Sequence, residues 1–143
     1  MAKNVGMNAN YKEVAGVLRE FEGGKAIGYD AKIGAETLKN MIQICENSDR
    51  LGEIALVPYD SPISNTKQTF LETLYDENAS CHLALGDSFP ECIVDGPNKT
   101  KEELTALGLN KSDNHVDFMI GTEDLSIIGF TPQGEEVPVF VNG

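Results

Sequence analysis

The chain has 143 residues, 23 acidic against 11 basic, a formal net charge of −12 and a hydrophobic fraction of 41%. That length suits one domain burying roughly two-thirds of its unfolded surface, and the apolar content argues against wholesale disorder. The acidity and the absence of a basic patch argue against nucleic acid as a partner. No apolar run approaches the length of a membrane-spanning helix.

Met1 to Asn10 is small and polar and reads as a frayed end or cloning remnant. Val14 to Glu22 and Lys25 to Tyr29 flank Gly23-Gly24, the signature of a hairpin. Ala31 to Asn47 reads as a helix, with Asp30 as N-cap and Ile33, Leu38, Met41, Ile42 and Cys45 on one apolar face. Glu53 to Val57 reads as a short, largely buried strand ended by Pro58. Tyr59 to Asn65 is a loop. Lys67 to Tyr75 reads as a helix with Phe70, Leu71 and Leu74 inward.

His82 precedes the apolar run Leu83 to Leu85, and the stretch from Asp87 to Thr100 is loop-rich. Thr100 and Glu103 have capping-box spacing and open a short helix. Asn114 to Ile120 reads as a strand with His115 and Asp117 on one face and Val116, Phe118 and Ile120 on the other. Two more strands, Leu125 to Phe130 and Val137 to Val141, flank the turn at residues 131–134. The expected fold is α+β, a mixed β-sheet with packed helices in a single domain.

Chemistry concentrates where polar side chains interrupt apolar runs. Glu53 heads a buried strand, His82 precedes one, and His115 and Asp117 share a strand face. Buried charge is costly unless paired or metal-bound. Two imidazoles and two carboxylates form a mixed nitrogen and oxygen set suited to zinc, cobalt or manganese. Taken singly, each of these residues is more often a surface or hydrogen-bonded group than a ligand. The three cysteines, Cys45, Cys81 and Cys92, lack C-x-x-C spacing and read as free thiols of a reducing, cytoplasmic setting. With no signal-peptide pattern, the Asn78 and Asn98 sequons read as chance. Cys81 adjoins His82, but neighbours in sequence do not face each other, and no cysteine-protease or phosphate-loop signature is present.

Longer blocks go further than spacing. Residues 50–57, 60–64, 75–86, 115–121 and 131–140, in this order, resemble the C-terminal part of the metalloaminopeptidase family of aminopeptidase T and aminopeptidase S (PepS). The resemblance runs from about Phe21 to Gly143, leaving residues 1–20 poorly matched and residues 21–143 as a C-terminal metal-binding domain. It implies a two-metal exopeptidase acting on peptides. Glu53, His82, His115 and Asp117 fall on the family's metal ligands. Glu77 falls in the acidic block upstream of His82, as a supporting carboxylate or general base. The second nitrogens of the histidines need partners; Asn78 and Asp113 are the candidates.

Two departures bear on activity. The family's tyrosine seven residues after the first histidine is Phe89 here, which has no hydroxyl for a developing oxyanion. Family members are also much longer, with a further glutamate ligand and a large N-terminal domain upstream. The resemblance therefore implies a C-terminal fragment, a missing N-terminal domain as partner and a homodimer. The rival reading is a non-catalytic domain that binds metal weakly or only packs and dimerises.

Overall fold

The computed structural model describes residues 3–4 and 14–143, with side chains from Glu20 onward. The expectation for Met1 to Asn10 lies outside the described residues apart from β1 (Lys3–Asn4). The Gly-Gly hairpin is present and longer than the sequence suggests: β2 (Val14–Glu22) pairs with β3 (Lys25–Ile33). This overturns the start of the expected helix. Asp30 is no N-cap but pairs with Val17, and Ala31 and Ile33 pair with Gly16 and Ala15. Ladder bonds satisfy that backbone until Gly34, whose φ of 73° turns the chain into α1 (Ala35–Gln43). Leu38 and Ile42, one turn apart on α1, are both buried.

The next strand is β4 (Leu51–Ala55), two residues earlier than its apolar run suggests. Two short helices follow: α2 (Pro62–Asn65), capped by Ser61 Oγ, and α3 (Thr73–Asp76). The helix expected over 67–75 is thus reduced to its last turn. Lys67 and Leu71 take left-handed φ values of 54° and 58°, which break a helical run. The Phe70 N–H donates to the Asp76 carboxylate at 2.8 Å instead. Phe70, Leu71 and Leu74 point outward as a result.

β5 (His82–Gly86), α4 (Lys101–Ala106) and β6 (His115–Met119) come next. The Thr100–Glu103 capping box forms as its spacing predicts. β7 (Ile127–Phe130) and β8 (Glu136–Phe140) make a separate two-stranded sheet. The main sheet has the order β3-β2-β1-β6-β5-β4. The α+β architecture is as expected, and every described strand pairing is antiparallel.

One face of the sheet carries the core. Leu85 and Phe118 join Ala26 of β3 and Leu38 and Ile42 of α1 in a buried cluster, with Leu83 against it. Val116 on β6 is buried as well. Residues of even number on β6 and odd number on β5 therefore supply the apolar back that the 114–120 pattern anticipates. Ile120 lies past the end of β6 and is exposed. Among the described residues no helix is long and apolar enough to cross a membrane.

Phe118 sits at the centre of this face. Phe118→Ala is expected to cost about 3–5 kcal/mol of unfolding free energy, measured by urea titration. A loss below about 1 kcal/mol would show that this face does not hold the sheet.

Candidate metal centre

The opposite face of the same three strands carries the polar residues. Register puts Glu53 opposite Ala84, and Ala84 opposite Asp117, so these three form a row across β4, β5 and β6. Directly opposed residues in a sheet project to the same side. His82 lies one pleat along, opposite Ala55 and Met119, and His115 lies opposite Gly86. Ala84 is fully buried between the two carboxylates, and its small side chain lets them lean together. Gly86 allows the close approach at the other end, because a Cβ there would lie 1.9 Å from the Asn114 carbonyl oxygen.

The four sheet residues converge. His115 Nε2 lies 3.1 Å from Glu53 Oε2 and 3.2 Å from Asp117 Oδ1. His82 Nε2 lies 3.9 Å from Glu53 Oε1. One donor atom each from Glu53, His82 and Asp117 fall within 4.8 Å of one another. Glu77, from the 3-10 turn Glu77–Ala79, completes the group beside Asp117, His82 and Glu53.

Both imidazoles are oriented by backbone. His82 Nδ1 is 3.0 Å from the Ser80 carbonyl oxygen and His115 Nδ1 is 2.8 Å from that of Asp87. A carbonyl can only accept, so each Nδ1 carries the proton. His115 Nε2 carries a proton towards Glu53 and Asp117 in the metal-free chain, and presents its lone pair there once that proton leaves. These partners replace the expected Asn78 and Asp113. Asn78 instead donates to the Leu74 carbonyl. Main-chain carbonyls leave no residue-type signal, which is why the sequence does not reveal them.

The electrostatics call for a cation. Asp117 is 1% exposed, and its Oδ2 is buried with no N–H or hydroxyl donor among the described residues. Burial, followed by the charges of Asp117 and Glu53, pushes the Glu77 carboxyl up to about 7, against the opposing effect of His82. The hydrogen bond to Asp117 raises His115 to about 9 despite desolvation, helped by the Asp87 carbonyl and the charges of Asp117 and Glu53. The extra protons compensate for charge that a divalent ion would neutralise. Glu53, His82 and Asp117 therefore fit a metal, two carboxylates and an imidazole as donors, with His115 in contact with both carboxylates and Glu77 beside them.

Phe89 packs edge-on against His115, with ring centroids 5.1 Å apart and planes at 64°. The three cysteines are free, and the Cys81 thiol donates to the Val57 carbonyl at 3.2 Å. Cys81 is thereby turned away from His82.

Imidazoles and carboxylates gathered on one sheet face define the donor chemistry of a divalent-metal protein. Comparison with known proteins narrows that class. The chain belongs to the family described as thermophilic metalloprotease (M29), whose profile matches residues 3–143. It is 44% identical over 137 residues to Aminopeptidase 2 of Geobacillus stearothermophilus, which covers 96% of this chain and 33% of that protein. It is 48% identical over 123 residues to Aminopeptidase AmpS of Bacillus subtilis (strain 168), covering 86% of this chain and 30% of that one. The solved structure of wild-type AmpT from Thermus thermophilus superposes with a TM-score of 0.75 at 39% identity, over 87% of this chain and 30% of that one. The chain thus spans about a third of the length of these relatives.

The raised pKa values fix the pH dependence of the metal-free chain. Glu77 takes up a proton on folding between about pH 4.5 and 7, and His115 does so between about pH 6.5 and 9. Both contributions are present at low pH and are lost as pH rises through the folded-state values. The melting temperature of metal-stripped protein is expected to fall from about pH 5 to pH 9. Added zinc should reverse the trend, because binding releases those protons. A metal-free melting temperature that climbs over this range would contradict the protonation pattern.

Proposed function

We propose that this chain is the C-terminal, metal-holding part of a two-metal aminopeptidase that removes N-terminal residues from peptides. The observation that carries the reading is the convergence of Glu53, His82, His115 and Asp117 on one sheet face, with both Nε2 atoms aimed inward. Its family membership and its likeness to proteins named as aminopeptidases support the same reading.

Glu53, His82, His115 and Asp117 would hold zinc, cobalt or manganese ions. Bound divalent ions would polarise the scissile carbonyl and lower the pKa of water towards about 7. The chain's own residues do the rest. The acidic centre attracts the free α-amine of a peptide. Glu77 sits beside Asp117, His82 and Glu53 and would accept the proton of the attacking water. Phe89 offers an apolar ring at the mouth of the site and no hydroxyl, so oxyanion stabilisation falls to other groups. Free thiols fit a cytoplasmic protein.

A second reading has a specific observation behind it. The chain spans about a third of its relatives' length. β7 and β8 also expose Ile128, Phe130, Val137 and Val139. By itself such a unit would bind metal without hydrolysing peptides. It would meet its partners, a second copy or the N-terminal domain, through that apolar sheet.

Two measurements separate the readings. Zinc binding by the chain, abolished in His82→Ala/His115→Ala, is expected under both. Hydrolysis of a dipeptide amide, measured on the chain joined to the upstream two-thirds of a relative, is expected only under the first. There, Glu77→Gln should lower kcat by about 10²–10⁴-fold while zinc stays bound. Undiminished turnover in Glu77→Gln would remove it from the mechanism, and full activity in the double histidine variant would sink the metal-centre reading.

A further inference from the structure

His115 is aimed by a main-chain oxygen, and that oxygen must itself be held. The peptide unit joining Asp87 to Ser88 lies between two residues. Its carbonyl end faces His115 Nδ1 at 2.8 Å. Its N–H end donates to the Asn110 carbonyl at 3.1 Å, and Ser88 Oγ donates to the same oxygen at 2.6 Å. The preceding unit is held from the same side. The Asn110 side-chain amide donates to the Gly86 carbonyl at 2.6 Å and to the Asn47 carbonyl at 2.9 Å. Both partners are carbonyls, so the amide orientation is fixed by hydrogen bonding. Asn110 thus grips the peptide units on both sides of Asp87.

The Asp87 side chain adds a weaker hold. It takes Lys111 Nζ at 2.8 Å and the Ser112 N–H at 3.1 Å. An ion pair exposed in this way contributes little stability. The part-buried amide–carbonyl bonds of Asn110 have no such discount. The strand register that places His115 fixes its Cα, whereas the direction of its ring depends on where the 87–88 unit sits.

We infer that the Asn110 side chain is a positioning group for His115: its amide fixes the Gly86–Asp87 peptide, and with it the Asp87 carbonyl that holds Nδ1–H and turns Nε2 into the metal centre. This rests on the metal-centre reading of the site. Groups that orient a metal-ligating histidine typically affect metal affinity by about 10–100-fold when removed.

The test compares Asn110→Asp with wild type. The substitution keeps the size and replaces the amide donor by an oxygen facing two carbonyls. Zinc affinity, measured by competition with a chromophoric chelator, is expected to fall by about 10–100-fold. In the metal-free protein the exchange-protected Nδ1–H proton resonance of His115 should broaden or vanish, while that of His82, held by Ser80, should persist. Asn110→Ala, which only deletes the donor, should shift both readouts in the same direction and serves if the aspartate variant does not fold. Leu38→Ala is the stability control. It lies in the core on the other face and should lower the melting temperature with zinc affinity and the His115 signal intact. An unchanged His115 signal and unchanged zinc affinity in the folded Asn110 variants would overturn the inference. Failure of wild type to bind zinc would count against the metal reading alone, because the proton signal still reports on the positioning.

Discussion

The register between β4, β5 and β6 is the constraint on which everything else depends. Glu53, Ala84 and Asp117 stand in one row, with His82 and His115 on the same face. Side chains alternate with a period of two, so a slip of one residue would send a whole strand's polar set into the core. The core prevents that slip. Leu85 and Phe118 are buried against Leu38 and Ile42, so burying them on one side presents Glu53, His82, His115 and Asp117 on the other. The hydrophobic effect thereby enforces the geometry of a charged site it never touches.

That arrangement comes at an electrostatic cost. Three carboxylates share a small, partly buried space with two imidazoles, and one buried Asp117 oxygen has no N–H or hydroxyl donor among the described residues. Without a cation the site compensates by retaining protons on Glu77 and His115. A group of like charges that must be neutralised to be stable, with lone pairs pre-aimed by carbonyls, is poised for metal. A hydrogen-bonded structural cluster would leave fewer open valences. Membership of the M29 metalloprotease family agrees with that physical reading.

Much of this was legible in the residues. The alternation in 114–120 gave the two faces of β6, and Thr100 with Glu103 gave the start of α4. Interrupted apolar runs pointed to Glu53 and His82. Their convergence with His115 and Asp117 was not in the pattern, because it arises from cross-strand pairing between segments about 30 residues apart. Two expected helices differ in the structure, for opposite reasons. Residues 30–33 have helical spacing but find strand partners in β2, and Gly34 sets the boundary. Residues 67–72 look apolar enough to pack, yet Lys67 and Leu71 adopt left-handed backbone and the side chains face outward. The carbonyls of Ser80 and Asp87 that orient the histidines have no side-chain signature at all.

The central claim is that this sheet face is a metal centre with Nε2 ligation from both histidines. Anomalous diffraction at the zinc edge, on crystals of the chain grown with zinc, tests it most directly. The account predicts anomalous density in bonding contact with Nε2 of His82 and His115 and with the carboxylates of Glu53 and Asp117. Zinc absent from that face, or bound there through Nδ1 after a ring flip, would contradict it.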